Sequence, residues 1–478
     1  MNKNTCRLPA AFPWLRPCAI AASSALLAGC ASFSADGGFD KVAQLTKERT
    51  GQQVAMQRAD SERQVAQGRV AELLAQPLTA DAAVEIAFLN NRGLQARLGE
   101  LGIAEADAVR AGRLPNPVFR FGRLSGGGSV EIERSVLFNV LGLLTLPVAS
   151  EVGQRRFEQA QYQAALDAVG VANTVRRAYF DAVAAQELVR FHQQVKEAAD
   201  ASNELAKRML QAGNFSKLTQ MREQAFYADA SAQLARAQHQ ATADRERLIR
   251  LLGLSGDPAI RLPERLPDLP KQPADPRDAE RTALEKRLDV LLATRGTEAA
   301  ARSLGLTMAT RFINVLELGY QNKSETGVPR SDGYEIELEL PLFDFGATRA
   351  ARAEAIYMQS VNRTAEVAVN ARSEVRESYS AYRTAYDLAR HYRDEVVPLR
   401  KRISEENLLR YNGMLISVFE LLADAREQVA GVTGYVQALR DFWVADTNLQ
   451  TALTGGSPGA SALAQPRTAT GAVPSQAH

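Results

Sequence analysis

The chain has 478 residues, with 57 lysines and arginines against 55 aspartates and glutamates and a formal net charge of +2. Such a balanced chain offers no electrostatic footprint for nucleic acid. The 4 histidines are scattered, and no His-Glu-x-x-His, Cys-x-x-Cys or phosphate-loop motif is present, so the sequence predicts neither an enzyme nor a bound cofactor or metal.

The N-terminus has the pattern of a secretion signal. Lys3, Arg7 and Arg16 precede an apolar stretch that is too short to span a membrane and ends in Leu-Ala-Gly-Cys at Cys30. This tetrapeptide resembles the bacterial lipobox, so we predict that residues 1–29 are removed and that Cys30 carries lipid. The alternative is an ordinary secretory signal that happens to end near a cysteine.

The residues after the cleavage site bear on the destination of the chain. Cys30 is the single cysteine of the predicted mature protein, which excludes a disulfide within it. Ala31 and Ser32 follow it, and by resemblance to lipoprotein sorting the missing aspartate favours the outer membrane. Residues 30–76 are interpreted as an N-terminal anchor segment.

Most of the remaining chain is a duplication. Four residue types of the first half recur 200 positions later, in the pairs Val175/Val375, Tyr179/Tyr379, Leu188/Leu388 and Gly213/Gly413. A proline-rich segment that cannot be helical separates the copies. We therefore predict a first repeat over 77–253, a linker over 254–276, a second repeat over 277–455 and a disordered tail over 456–478.

Each repeat is predicted to hold the same elements in the same order: an opening helix, two strands, a corner, a long helix, a glycine turn and a return helix. The bounds in the first half are 78–113, 118–124, 130–138, 153–212 and 215–252, and in the second half 277–306, 311–320, 334–340, 347–412 and 415–453.

The strands carry the clearest pattern. From Tyr334 to Leu340, apolar residues alternate with Glu335, Glu337 and Glu339, so that the glutamates share one face. This is typical of a transmembrane β-strand with its acidic face in the lumen, although a half-buried hairpin of a soluble domain has the same pattern. No run of about 18 apolar residues follows the signal, so a membrane-crossing part would have to be β. Four strands cannot close a barrel, and this reading therefore requires several copies of the chain.

Two short segments make the chain recognisable. Leu-Pro-Leu-Phe-Asp-Phe-Gly-Ala-Thr-Arg at 340–349 closely resembles the strand-to-helix corner of the TolC-like outer-membrane efflux factor family, and so does Arg-Leu-Pro-Asn-Pro at 113–117 before the first strand. The paired glycine turns and the duplication are similar too. The resemblance covers about residues 70–455.

The resemblance implies a mainly α protein with a small β part, assembled as a homotrimer. Its twelve-stranded outer-membrane β-barrel would continue as an α-helical barrel through the periplasm. Such a duct is passive, with an inner-membrane pump supplying energy and a periplasmic adaptor protein docking on the helix tips. By resemblance, Gly213, Phe215, Gly413 and Leu415 would meet the adaptor; the alternative is that the glycines only turn the chain.

Two segments depart from the family pattern. The first half reads Leu144–Gly153 where the second half has its clean corner, so we expect a degenerate first corner that is one residue longer. Below the second tip, the chain has Ala423 where the family often has an aspartate, and Asp424 follows. Asp424 is a weak candidate for a constriction, and a solvated helix face is the favoured interpretation.

Three functions remain open from the sequence. The first is an efflux duct for small toxic solutes or metal ions, and the second is a similar duct for type I protein secretion. The third is a lipid-tethered coiled-coil scaffold without a pore, which the strict glutamate alternation disfavours.

The lipobox prediction can be tested directly. Replacing Cys30 with Ala removes the thiol that would accept diacylglycerol, so metabolic labelling with radioactive palmitate should be lost. Labelling that persists in this variant would refute the assignment.

Overall fold

The computed structural model describes residues 32–256, 258–339 and 341–459. The lipobox and the greater part of the predicted tail lie outside these ranges. The chain forms two compact units, each assembled from segments of both repeats. Unit 1 comprises residues 1–38, 102–159 and 295–361, and unit 2 comprises residues 39–101, 160–294 and 362–478.

The secondary structure is helical apart from four strands in the described residues. In chain order the elements are α1 (Phe39–Thr50), α2 (Asp60–Leu74), α3 (Ala80–Asn90), α4 (Arg92–Ala111), β1 (Val118–Gly126), β2 (Ser129–Asn139), α5 (Val140–Gln211), α6 (Lys217–Leu252), α7 (Ala279–Lys286), α8 (Leu288–Thr310), β3 (Val315–Glu325), β4 (Ser331–Glu339), α9 (Ala347–His391), a π-turn (Tyr392–Val396), α10 (Val397–Asn412) and α11 (Val418–Thr454).

The four strands form one antiparallel sheet in unit 1. Its order is β1-β2-β3-β4, so each strand pairs with its neighbour in sequence. All four predicted strands exist, but β3 begins at Val315 rather than at Arg311. The carbonyl of Arg311 instead accepts a hydrogen bond from the Arg349 guanidinium at 3.0 Å, which ties this residue to the corner after β4.

The predicted second corner is confirmed. Phe345 and Gly346 both have positive φ, and a Cβ on Gly346 would lie 2.1 Å from the carbonyl oxygen of Arg311, so only glycine fits there. The Asp344 carboxylate accepts hydrogen bonds from the Thr348 hydroxyl and the Gly346 N–H, and these bonds lower the pKa of Asp344. These hydrogen bonds fix the backbone at the start of α9.

The predicted first corner at Leu144–Gly153 is wrong. Helix α5 begins at Val140 and runs through this segment with Pro147 inside it. The reversal happens earlier, where the Asn139 side chain accepts the N–H of Gly142 at 2.5 Å and caps the helix as β2 ends. The chain therefore needs no separate corner segment, and the proline costs one helical hydrogen bond near the helix start.

The single opening helix predicted for each repeat is also wrong, because both helices break. The breaks fall at Asn91 and Arg287, which both have extended backbone and both donate N–H to the carbonyl four residues back. At the first break the Asn91 side chain caps the N–H of Leu94 and donates to the carbonyl of Leu251. The end of α6 packs at the first break, and the end of α11 packs at the second.

The second break is built on a buried cation. The Arg287 side chain is only 1% exposed and pairs with Asp289 at 2.8 Å and with Glu374 at 2.5 Å. The N–H of Leu288 donates to the carbonyl of Gly455 at 2.8 Å, so the end of α11 docks beside the same cluster. A guanidinium with several acceptors satisfies both carboxylates without leaving a buried charge unpaired.

The proline-rich linker is confirmed as a non-helical segment and is strapped along unit 2. The Tyr386 hydroxyl donates to the carbonyl of Pro270 at 3.1 Å, and Trp443 Nε1 donates to the carbonyl of Pro267 at 3.0 Å. Leu266 and Leu269 of the linker itself are buried. The linker therefore contributes to the core as well as joining the repeats.

The cluster around Arg287 should dominate the stability of unit 2. Replacing Arg287 with Met leaves Asp289 and Glu374 without their cation, so we expect a loss of about 3–5 kcal/mol, measured as the free energy of unfolding. The matched control is Arg281→Met, which removes an exposed pair with Asp278 and should cost less than about 1 kcal/mol. Equal effects of the two substitutions would contradict this account.

Candidate channel wall and helix tips

One face of the sheet is apolar and exposed. Tyr334 is 86% exposed, Ile336 70% and Phe119 65%, although these side chains would be buried in the core of a soluble sheet. Strand register places the following apolar residues on this face: Phe119, Phe121, Val130, Ile132, Val136, Phe138, Leu316, Leu318, Tyr320, Tyr334, Ile336 and Leu338. Arg123, Arg134, Asn322, Ser324 and Asp332 lie on the same face, towards the turns that join the strands. An apolar surface of this continuity on a folded chain marks a contact with a partner or a membrane.

The opposite face is polar, and the predicted glutamates lie on it together. Glu335, Glu337 and Glu339 stand opposite Gly319, Glu317 and Val315 of β3. The other charged residues of this face are Arg120, Glu131, Glu133, Lys323 and Glu325. Directly opposed glutamates destabilise a strand pair, so their retention on an acidic face indicates a requirement other than packing.

Arg120 joins the two edge strands across this polar face, which the sequence analysis did not anticipate. Its guanidinium lies 3.9 Å from Glu335 and 3.7 Å from Glu337, although β1 and β4 are separated by two strands. Gly319 of β3 leaves room beside Glu335, because a Cβ there would lie 3.3 Å from the Glu335 side chain. All three side chains are at least one-third exposed, so the pairs remain accessible to water.

Both edges of the sheet are open among the described residues. Strands β1 and β4 each have one neighbour, so the outer backbone groups of both strands are free to pair with another chain. No helix in the described part of the chain is long and apolar enough to span a membrane.

The first helix tip is a glycine turn, as predicted. Gly213 has φ +76°, and the N–H of Asn214 donates to the carbonyl of Met209 at 2.9 Å. This is the left-handed helix end for which glycine is favoured. The Ser216 hydroxyl then accepts the N–H of Thr219 at 3.2 Å and caps α6.

The second tip repeats this geometry one residue later than the duplication predicts. Gly413 has φ −83°, and Met414 takes the left-handed position with φ +59°. The N–H of Leu415 donates to the carbonyl of Arg410, and Ser417 caps α11. Every one of these contacts matches the first tip at an offset of 201 rather than 200, so Gly213 corresponds to Met414.

The extra residue is absorbed by the π-turn. A π-turn adds one residue to an α-helix without ending it, and Tyr392–Val396 lies after Leu388, which still follows the offset of 200. The Tyr392 ring packs on Gly434 of α11, where a Cβ would come within 2.7 Å of it. The predicted correspondence of Gly213 with Gly413 is therefore a coincidence of sequence. Gly413 has a negative φ, which any residue can adopt.

Asp424 is buried, so the interpretation of a solvated helix face is wrong. It is 7% exposed and corresponds at the offset of 201 to Glu223, which is 2% exposed. The helices α5 and α6 form the first helix hairpin, and α9, α10 and α11 form the second. Glu223 of α6 faces the outgoing helix α5, because it accepts a hydrogen bond from Ser202 at 2.9 Å. Asp424 lies two turns before Gly431, which contacts Arg400 of α10, so it also faces its outgoing helix.

Comparison with known proteins adds structural relatives. No protein-family model matches the chain, and no curated protein matches its sequence. The open state of the Neisseria gonorrhoeae MtrE outer membrane channel is similar with a TM-score of 0.64 and 17% identity, covering 79% of this chain and 88% of that one. The Vibrio cholerae outer membrane protein VceC gives 0.62 and 16%, covering 82% and 97%. A Pseudomonas aeruginosa membrane protein gives 0.66 and 19%, covering 78% and 93%.

These similarities confirm the fold to which the corner motif and the duplication pointed. The chain has the fold of outer-membrane channels, with a small antiparallel sheet and long helix pairs. The similar structures are described as channels or membrane proteins, and none of them is described as an enzyme.

The shifted register of the second tip can be tested with glycine substitutions. Gly213→Ala forces a Cβ into a left-handed residue and should cost about 1–2 kcal/mol, whereas Gly413→Ala should be close to neutral. Met414→Gly should stabilise the protein, because it relieves the same strain. Unfolding midpoints measure all three variants, and a larger loss at Gly413 than at Gly213 would contradict the offset of 201.

Proposed function

We propose that this protein is the outer-membrane exit duct of a tripartite efflux system, a passive channel for small toxic solutes or metal ions. The observation that carries the proposal is the sheet, which has an exposed apolar face on one side and an acidic face on the other. In the fold of outer-membrane channels, this arrangement suits a wall between lipid and a water-filled lumen.

The two open edges of the sheet support an oligomer. Unpaired backbone groups cannot face lipid, because nothing there replaces their hydrogen bonds with water. The edges of β1 and β4 must therefore pair with other copies of the chain. Three copies would close a twelve-stranded β-barrel, and the long helices would continue it as an α-helical barrel in the periplasm.

The acidic face is assigned to the lumen. Glu335, Glu337 and Glu339 would line the channel, where water screens the repulsion between Glu337 and Glu317. Arg120 neutralises part of this charge, and glutamates still outnumber cations. The lumen would therefore favour cations without binding any one solute tightly.

The helix tips are assigned to the periplasmic adaptor protein, and the inner-membrane pump would supply energy. Gly213, Phe215, Gly413 and Leu415 remain the proposed contacts, and Leu415 is 77% exposed. Met414 joins them, because it is 93% exposed and occupies the position of Gly213 in the second tip. Exposed apolar side chains at a helix reversal suit a protein partner.

Lipidation at Cys30 is part of the proposal. Acyl chains on this residue would hold the N-terminus in the outer membrane, independently of the barrel. The lipobox sequence supports this assignment, and so does the absence of an aspartate at residues 31 and 32.

A duct for type I protein secretion would use the same wall and tips, and the cargo distinguishes it from an efflux duct. A coiled-coil scaffold without a pore does not account for the sheet. It would leave the apolar surface around Tyr334 and Ile336 in water with no partner.

The channel proposal predicts two measurements on the purified protein. It should form trimers in detergent, seen by native mass spectrometry, and it should conduct ions in planar bilayers with a preference for cations. A monomer without conductance would refute the duct.

Two matched substitutions on neighbouring residues test which face meets lipid. Ile336→Arg places a charge on the apolar face and should cost about 2–4 kcal/mol at the membrane midplane, so trimer yield should fall. Glu337→Arg changes the other face and should keep trimers while lowering the cation preference. The reverse outcome would exchange the two faces.

A further inference from the structure

Asp424 has a buried carboxylate oxygen that makes no hydrogen bond within the described chain. The residue is 7% exposed, and its Oδ2 atom is inaccessible to water and has no hydrogen-bond partner. A buried carboxylate oxygen without a hydrogen-bond partner is unfavourable, and a cation beside the carboxylate would offset this cost.

The corresponding residue of the first hairpin shows what is missing. Glu223 accepts a hydrogen bond from Ser202 and lies 3.5 Å from the guanidinium of Arg426, which comes from α11 of the second hairpin. The same guanidinium stacks on Phe226 at 4.4 Å, and Val429 packs into the adjoining apolar cluster. The buried acid of one hairpin is thus neutralised by an arginine of the next hairpin.

The offset of 201 transfers this site to the second hairpin. Glu223 corresponds to Asp424, and Phe226 corresponds to Glu427. Two carboxylates of the second hairpin therefore occupy the positions that contact Arg426 in the first hairpin. Glu427 is 61% exposed and reaches Arg400 at 2.8 Å, so it remains on the surface. A cation from a neighbouring hairpin would therefore meet two acids there.

In the part of the chain that the structure describes, the second hairpin is the last one, and a second copy of the chain would supply the next neighbour. The residue of α6 that corresponds to Arg426 is Ala225. The nearest cation is Arg222, which is exposed, lies about one turn closer to the tip and is rotated by about 60° from the same face. A guanidinium on that side chain can cover this displacement, whereas Lys217 lies more than two turns away.

We propose that Asp424 and Glu427 form an interface with a second copy of this chain, in which Arg222 of the neighbouring copy completes the ion pair. This interface rests on the oligomer of the proposed function and adds the residues that join its helical parts. It repeats between copies the contact that Arg426 and Glu223 make within one copy.

Cross-linking tests the interface directly. Arg222→Cys and Asp424→Cys in one chain, treated with a bismaleimide long enough to replace both side chains, should give covalent dimers and trimers on a denaturing gel. The matched control is Glu223→Cys with Arg426→Cys, which should cross-link within one chain and leave its mass unchanged. Each single-cysteine variant should give no ladder, because Cys30, the one other cysteine of the proposed mature chain, would carry lipid and have no free thiol.

Charge reversal tests the sign of the contact. Arg222→Glu should raise the dissociation constant of the oligomer at least tenfold, and adding Asp424→Arg to the same chain should restore most of the affinity. Trimers that form with neither the cross-link nor the charge dependence would overturn the interface and leave the duct standing. A wild-type protein that stays monomeric would overturn both.

Discussion

One side of the sheet is an exposed apolar surface that includes Phe119, Tyr334 and Ile336. On the other side, Arg120 pairs with Glu335 and Glu337. Neither side can serve as a conventional core, because one has no protein layer over it and the other is charged. Burying apolar surface is worth about 25 cal/mol per Å², so the exposed face favours removal from water. Its open edges add the need for hydrogen-bond partners. The proposed barrel would meet both needs at once, since it would cover the apolar face with lipid and pair the open edges between copies.

The local pattern of the sheet was predictable from sequence because side chains alternate strictly along a strand. Glu335, Glu337 and Glu339 follow this rule and lie together on one face. The role of Arg120 was not predictable, since it depends on a contact between two strands that are far apart in the sequence and separated by two others in the sheet. The prediction of a first corner at Leu144–Gly153 was also wrong. Family likeness suggested a loop near Pro147, but one side-chain cap from Asn139 begins the helix before that proline is reached.

The duplication was visible in the sequence, but its register was not. Glycine and proline mark turns, whereas the π-turn at Tyr392–Val396 inserts a residue inside a helix, and the nearby Pro398 does not by itself indicate an inserted residue. Gly213 and Gly413 therefore appeared equivalent, although Met414 takes the strained conformation. Correcting the offset to 201 also reveals the correspondence of Glu223 with Asp424. That correspondence could be found only after the hydrogen bonds of both tips were compared.

The tips of the two hairpins share one hydrogen-bond pattern and differ in chemistry, and this difference has a consequence for the proposed assembly. Within one chain, Arg426 stacks on Phe226 and Val429 packs beside it, so the junction combines an ion pair with apolar contact. At the proposed junction between copies, Glu427 stands where Phe226 does within the chain, and the contact would depend far more on charge. Exposed ion pairs weaken with salt, whereas apolar contacts persist. In the proposed ring of hairpins, the junction between copies would therefore be the weaker of the two, and a helical barrel built this way would separate there first.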